Sequence, residues 1–596
     1  MRTNFLAAII GEYLLMKICL LHLPDWHVLS YKRNESEKLF VSEKGKDKKV
    51  DGDFATIPYG LLMLAAQAKK DGHDVTIYNL SCYPWEILSK ILHYIKADIF
   101  GFTCLTINHF SVGLISAYIR ERYPKAHIVV GGPHASSLAI EMLRHYPAID
   151  TIVIGEGEQT FVEIIQNLEL GKPVHNIHGT AWRCANEIKI AAPRARIKNL
   201  DCLASPADYF ATGIIVTSRG CPGQCTYCQS KAIWGRKVKY HSAEYTIDLI
   251  EKCVRVHKRK TISIKDDTFT TDRKRVLAIC KGILERKLNF LWSCDTRVDR
   301  LNDELLYAMR LSGCQQISLG VESASPTILQ HIKKNIKTEQ VLKTTRMAQK
   351  YGFQIRYFMI AGNRSETRET IQQSLEFIEK ARPNMYMFSP FTFYPGTEDF
   401  KILQTKYNIT NGIFFSEQFQ KKNLTIFHMD FSDDMKQVYE WFINSQNQNQ
   451  NQNYYNYSSK ECLEFTKLFP DLGAAHMDLA SAYIREKNTE FAMHHLVRAR
   501  ELNYPLGCLI YNHFACIAAL ENNYSDMLKN IEKAINMKPV HPVVIQNYQA
   551  VQKWIDNGSS NLDDIPLVST NNFQIIGGGE QPESSGPVNL TLVKKP

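Results

Sequence analysis

No stretch of this sequence is apolar for long enough to cross a bilayer. The run FLAAIIGEYLLM (5–16) is short, interrupted by Gly11 and Glu12, and followed by no small-residue cleavage site, so neither a membrane anchor nor a secretory leader is expected. A dominant charge is lacking too. Lys and Arg number 71 against 61 Asp and Glu, and a net +10 over 596 residues suits anionic ligands without forming a nucleic-acid footprint. The 15 cysteines follow no regular framework, which fits a reducing cytoplasm rather than a disulfide scaffold. Paired Cys-x2-Cys knuckles of the kind that hold structural zinc are also missing.

What is present is a concentration of three thiols in SRGCPGQCTYCQS (218–230), where Cys221, Cys225 and Cys228 are spaced Cys-x3-Cys-x2-Cys. One turn of loop brings such sulfurs to a common side, and thiolate is the ligand iron–sulfur clusters take. Three ligands would leave one iron of a cubane open for chemistry. The alternative is a chance grouping or a zinc site that draws its fourth ligand from elsewhere. TGIIVTSRG, just ahead, reads as a buried strand ending in a glycine-bearing loop, the place where barrel enzymes keep their chemistry.

A chain of this length needs three or more domains. From Met16 to Arg183, apolar strands alternate with amphipathic helices, predicting a Rossmann-like parallel sheet covered on both faces. KICLLHL, HDVTIYNL, DIFGFTCL, HIVVGG and DTIVIGEGE are the expected strands, and the first of them suggests that translation starts at Met16. Ligands of such sheets bind at the carboxyl ends of the strands, which here carry Thr103, Thr106, Gly131, Gly132, Gly155, Glu156 and Gly157. Residues 184–212 lose the pattern and read as a connector. Residues 213–430 resume it and predict a partial (βα)6 barrel, so the fold class is α/β.

The Asn/Gln tract at 444–457 reads as a linker. Beyond it, over 458–555, Ala480 recurs as Ala515, Ala499 as Ala534 and Pro505 as Pro539, the period of tetratricopeptide repeats, which predicts an α-helical repeat region. The tail, 556–596, is rich in Gly, Ser, Asn and Pro and is expected to be disordered.

With Tyr227 ahead of the third cysteine, the array resembles the signature of radical S-adenosylmethionine enzymes. The sheet domain that precedes it makes the chain similar to their cobalamin-dependent branch over residues 16–430. The resemblance implies a 4Fe-4S cluster on Cys221, Cys225 and Cys228. It implies S-adenosylmethionine contacts from Tyr227, Asp266, Asp267, Gly320, Glu322, Ser323 and Gly362, and cobalamin against Thr103, Thr106 and the glycine-rich strand ends named above.

Three features depart from the pattern. Asp25-Trp26-His27 lies where the family's Asp-x-His-x-x-Gly would supply an axial His, but Ser30 replaces the glycine, so cobalamin without a protein His on cobalt is expected. Asp266-Asp267 stands for the commoner Gly-Gly-Glu, and adjacent acids also suit a turn or a cap for the helix that follows. Asn363-Arg364 replaces a Gly-Pro pair.

The activity implied is methylation of an unactivated carbon in a small-molecule or peptide-like substrate. Radical cyclisation or oxidation without net methyl transfer, as in the anaerobic porphyrin cyclase branch, is the second reading. A transfer RNA methylthiolating enzyme would bring additional N-terminal cysteines and a small basic C-terminal β-barrel, neither of which is seen. Expected partners are the substrate, an electron donor such as flavodoxin or ferredoxin, and a protein engaged by the repeats, without nucleic acid or membrane. No catalytic side chain beyond the cofactor contacts is singled out.

Overall fold

The computed structural model describes residues 15–25, 30–31, 40–41, 57–83, 85–416, 419, 436, 455–537, 539–558, 562 and 565–570. His27, residues 1–14 and the Asn/Gln tract up to 454 lie outside the described residues. The chain forms two compact units, one comprising Met1–His241 and Phe391–Ile426, the other Ser242–Pro390 and Phe427–Glu580.

In the first unit, β1 (Lys17–His22), β2 (Asp74–Asn79), β3 (Ile99–Thr103), β4 (His127–Gly131) and β5 (Thr151–Val153) run parallel in the order β2-β1-β3-β4-β5. Leu20, Leu21, Phe100, Ile128 and Ile152 are fully buried, as expected for strands covered on both faces by helices. The strand order reverses between β1 and β3, the point at which such sheets open a crevice at their carboxyl ends.

The sheet is not wholly parallel. β6 (Thr180–Cys184) and β7 (Glu187–Ile190) add an antiparallel hairpin beside β5, so β7 occupies part of the expected connector. β7 is a four-residue edge strand whose Glu187, Lys189 and Ile190 are exposed, so its Glu-Ile-Lys-Ile alternation is too short to stand out. TGIIVTSRG also differs from expectation. It holds two-residue strands at Ile214–Ile215 and Ser218–Arg219, and the second pairs antiparallel with Lys239–Tyr240 while Thr217 O accepts from His241 N.

In the second unit, β8 (Thr261–Ile264), β9 (Leu291–Thr296), β10 (Cys314–Glu322), β11 (Gln354–Ala361) and β12 (Met385–Pro390) are parallel and adjacent in chain order, with helices between them. Asp272, Asn302 and Thr367 accept from the first-turn amides of the helices that return the chain, satisfying donors otherwise left open.

Beyond its strands, the described residues of the same unit add six further helices: α1 (Ser459–Leu468), α2 (Gly473–Arg485), α3 (Thr489–Glu501), α4 (Gly507–Leu520), α5 (Tyr524–Ile535) and α6 (Pro542–Asp556). α2 and α4 start at 473 and 507, α3 and α5 at 489 and 524, so the elements recur after 34 and 35 residues. Ala480, Ala499, Ala515 and Ala534 are all fully buried, and Asn488 and Asn523 cap α3 and α5 in the same way.

These helices pack directly on the strands of their unit. Leu291 of β9 lies in a core cluster with Met477, Ala480 and Leu509, and Tyr457 donates to Phe353 O at 2.5 Å. Tyr455 and Tyr457, expected in the linker, are thus docked; Arg382 stacks over Tyr455 at 4.0 Å and Asn384 Nδ2 donates to Tyr455 O. Aromatic side chains after a polar tract bury apolar area that the composition of the tract conceals. Leu562, Ile565, Ser569 and Thr570 of the expected disordered tail are buried as well. Among the described residues no helix is long and apolar enough to cross a membrane.

Candidate active site

The cysteine loop belongs to the first unit and is tied down on three sides. At its base, Arg219 lies between Glu156 and Glu158, with 2.8 Å from its guanidinium to Glu156 Oε1 and a second, short bond to Glu158 Oε1. Burial alone would lower the Arg219 guanidinium, but the two carboxylates outweigh it and hold its pKa above the ordinary value. Glu156 also accepts from Ile197 N at 2.7 Å. Inside the loop, Thr226 Oγ1 donates to Asp399 Oδ2 at 2.6 Å while Asp399 N donates to Thr226 O at 3.1 Å. Just past the third cysteine, Gln229 Nε2 reaches Ser137 Oγ at 3.2 Å and Pro395 O at 3.2 Å.

Cys221, Cys225 and Cys228 are partly exposed and unoxidised, and Gly223 N donates to Cys221 Sγ at 3.4 Å. Most other cysteines of the chain are buried; burial pushes Cys19 and Cys104 far up and Cys280 up to about 12. Accessible thiols on one pinned loop suit the donor set of an iron–sulfur cluster, in which each sulfur meets a different iron. Among the described residues, no three His, Cys, Asp or Glu side chains are gathered as they would be around a single metal ion. Tyr227 stands edge-on to Phe391 at 6.4 Å.

The strand ends expected to meet cobalamin lie together at the carboxyl edge of β3, β4 and β5 in this unit. Gly132 has φ 98°, and a Cβ there would stand 2.8 Å from both N and O of Cys104, so glycine is required for the chain's own turn. Gly155 has φ 82°, and among the described residues nothing lies within 4 Å of a Cβ built on it. Gly131 would accept a Cβ without crowding, and Gly157 opens the helix Glu158–Glu169. Thr103 pairs with Gly131 across the ladder. The Glu156 carboxylate is committed to Arg219 and Ile197, so it serves this edge by anchoring the cysteine loop.

Sequence reading missed a buried imidazole pair behind the same edge. His134 Nδ1 and Thr106 Oγ1 share a hydrogen bond at 3.1 Å, and the ring stacks on His109 at 4.6 Å. Burial drives both imidazoles down, His109 to about 3, so both are neutral. Among the described residues, His134 Nε2 is buried without a hydrogen-bond partner. Aromatic His-x-x spacing gives no signal of this kind; only the fold brings residues 109 and 134 together.

The remaining residues lie at strand ends of the second unit. Asp266 is buried and Asp267 exposed after β8, and the cap of the next helix is Asp272, which removes capping as the role of the acid pair. At the end of β10, Glu322 takes φ 69° across a register shift and its carboxylate accepts from buried Lys334 at 2.8 Å. Lys334 is a second residue the sequence reading missed. A Cβ on Gly320 would fall 2.7 Å from Glu322 Oε1 and 2.8 Å from Lys334 Nζ, so the glycine makes room for this ion pair. Gly320→Ala is therefore expected to destabilise the chain by about 1–3 kcal/mol in urea unfolding, the usual cost of overpacking. Ser323 is turned inward toward Ser374.

At the end of β11, Gly362 has φ 91° and its N–H donates to Glu366 Oε2 at 2.5 Å. Burial raises Glu366 to about 7, partly offset by hydrogen bonds from Gly362 and Asn363. Because the folded form holds this proton more tightly than the unfolded chain, its contribution to stability is full below the ordinary carboxylate pKa and is lost as pH rises toward 7. Glu366→Gln is expected to flatten the fall in urea midpoint across that window.

Two family models match the chain: the B12 binding domain over residues 50–165 and the Radical SAM superfamily over residues 215–378. An uncharacterized methyltransferase of Pyrococcus horikoshii is 30% identical over 377 residues, covering 61% of this chain and 81% of its own length. The anaerobic magnesium-protoporphyrin IX monomethyl ester cyclase of Rubrivivax gelatinosus is 26% identical, covering 53% of this chain and 60% of its own. Among solved structures, the cobalamin-dependent S-adenosylmethionine radical enzyme OxsB with aqua-cobalamin bound shares the fold at 16% identity with a TM-score of 0.53, over 92% of this chain and 85% of that one. Taken with the accessible three-cysteine loop and the doubly wound sheet before it, these likenesses show that the chain belongs to the cobalamin-binding radical S-adenosylmethionine methyltransferase family, whose cofactors are a 4Fe-4S cluster, S-adenosylmethionine and cobalamin.

Proposed function

We propose that this enzyme methylates an unactivated carbon of a small-molecule or peptide-like substrate. The observation that carries the reading is the clamp between Arg219, two residues before Cys221, and Glu156 and Glu158 at the end of β5. It fastens the cluster loop to the cobalamin edge inside one compact unit, as a reaction that uses both cofactors on one carbon requires. When bound, the cluster and S-adenosylmethionine supply a 5'-deoxyadenosyl radical and methylcobalamin supplies the methyl group.

The chain's own residues hold and shield. Cys221, Cys225 and Cys228 would ligate the cluster, leaving one iron for S-adenosylmethionine, and Thr226 and Gln229 hold their loop in place. In the second unit, Asp266, Asp267 and the Glu322–Lys334 pair, with Gly320, Ser323 and Gly362, would serve the amino and ribose groups of the nucleoside, and in the first unit Tyr227 would serve it from the cysteine loop. Thr103, Thr106, Gly131, Gly132, Gly155 and Gly157 present a backbone edge to cobalamin. The recurrence of α2–α5 supports naming the C-terminal helices a tetratricopeptide-like array that engages a protein partner. The domain limits read from the sequence are part of the same proposal. A cytoplasmic location and an electron donor such as flavodoxin or ferredoxin belong to the same reading.

The test is anaerobic reconstitution with S-adenosylmethionine, cobalamin and reductant. Bound corrinoid with both 5'-deoxyadenosine and S-adenosylhomocysteine is the expected result. Deoxyadenosine without S-adenosylhomocysteine would replace methyl transfer with cyclisation or oxidation. Replacing any one of the three cysteines with Ala is expected to abolish cluster absorbance and reduce deoxyadenosine formation to background while the circular dichroism spectrum is kept. Full cleavage by such a variant would remove that cysteine from the cluster.

A further inference from the structure

One face of the helical array is filled by the chain's own later residues. Ser481 of α2, Asn512 and Cys516 of α4 and Asn547 of α6 all meet the strip Leu567–Thr570. Asn547 is fully buried and holds a single residue at two points: its Nδ2 donates to Val568 O at 2.8 Å and its Oδ1 accepts from Val568 N at 2.9 Å. Asn512, also fully buried, donates to the same carbonyl at 3.2 Å and accepts from Asn547 Nδ2 at 2.9 Å. Ser569 Oγ donates to Ser481 O at 3.4 Å. Leu562 and Ile565 anchor the strip in a cluster with Ala518, Met527, Ile531 and Val551.

A side-chain amide offers the same donor and acceptor as a peptide unit, so an Asn aimed at extended backbone reads main chain irrespective of the side chain it carries. Within the helices, backbone groups are satisfied internally and have no need of Asn547. Among the described residues, Val568 N–H is the donor to Asn547 Oδ1, and two buried amides would lose partners if the strip left. IPLVST (565–570) carries no charge, and apart from the Ser569 hydroxyl the hydrogen bonds named above engage its main chain, beside aliphatic packing.

We propose that the face formed by α2, α4 and α6 is a peptide-binding site. It takes an extended, uncharged segment through the main-chain N–H and C=O of one residue, and its resident ligand is the chain's own Ile565–Thr570. A segment of the same chemistry on another protein binds by displacing it. The inference stands apart from the methyl-transfer reading, since none of these residues bears on a cofactor.

α6 ends at Asp556, close in sequence to Val568, so the resident strip competes at an effective concentration on the order of millimolar. The probe is a fluorescein-labelled peptide of sequence LDDIPLVSTNNF (562–573), titrated into the full chain by anisotropy. Val568→Pro removes the N–H that Asn547 accepts and frees the face. That variant is expected to bind the probe at least about tenfold more tightly than the unmodified chain, and adding Asn547→Leu is expected to abolish the gain. Equal affinity of both chains, or a gain that survives Asn547→Leu, would overturn the proposal. A protease site placed at 559–561 of the otherwise unaltered chain gives a second route. After cleavage the probe is expected to displace the severed tail, and failure to bind the probe would overturn the proposal independently of how Val568→Pro folds.

Discussion

Arg219→Met is expected to cost about 3–5 kcal/mol of stability, the price of leaving buried charges without their partner. Glu156 and Glu158 are both almost fully buried at the side chain and meet the same guanidinium, so the substitution leaves two carboxylates facing each other in a dry site. Arg196 and Arg219 also flank the Trp234 ring, at 5.8 and 5.7 Å, so part of the loss is packing. Arg219→Lys is expected to fall between the two, because a single ammonium cannot present the fork that bridges two carboxylates. Urea unfolding followed by circular dichroism measures the loss, and iron per chain after reconstitution measures its consequence two residues on, at Cys221. Combining Arg219→Met with Glu156→Gln and Glu158→Gln is expected to restore much of the stability while leaving the loop poorly held, so cluster retention stays low. A single variant as stable as the parent would show that the clamp does not fasten the loop.

That clamp marks where legibility in the sequence ends. The five parallel strands of the first sheet were readable because each is a short apolar or alternating run followed by a helical pattern, and the cysteine loop because three thiols fall within one turn. Ala480, Ala499, Ala515 and Ala534 were readable through their period, and all four are buried at helix crossings. The edge strand β7 was not, because four alternating, largely exposed residues are too few to stand out within the connector. Arg219 pairs with residues about sixty positions earlier, and Lys334 with Glu322 across a turn and a short helix. Charged residues in such pairs look like ordinary surface residues until topology brings them together. Glu156 shows the same limit: its place at a strand end is legible, and its ion pair with Arg219 is not. The aromatic docking residues Tyr455 and Tyr457 were hidden by the polar tract that precedes them.

Asp478→Ala is expected to destabilise the second unit by a similar amount, about 3–5 kcal/mol, because Arg310 is completely buried and would keep its charge. The Arg310 guanidinium reaches Asp478 Oδ2 at 2.7 Å, Cys314 O at 3.4 Å and the side chain of Gln315, which itself donates to Asp478 Oδ1 at 3.3 Å. Asp478 lies on α2 and Arg310 on the helix Asp303–Leu311 between β9 and β10, so this network joins the helical array to the strand scaffold. Removing everything after Asn444 would take Asp478 away together with the apolar cover of Leu291, so such a chain is expected to aggregate rather than report on the array's role. The informative pair is Asp478→Ala against Arg310→Met with Asp478→Leu. Apolar replacement of both partners is expected to recover most of the stability, as buried ion pairs commonly allow. If the recovered chain cleaves S-adenosylmethionine at the parental rate, the array supports the scaffold by packing alone. Should Asp478→Ala itself unfold at the parental urea midpoint, the array would instead be an independent domain resting on the scaffold.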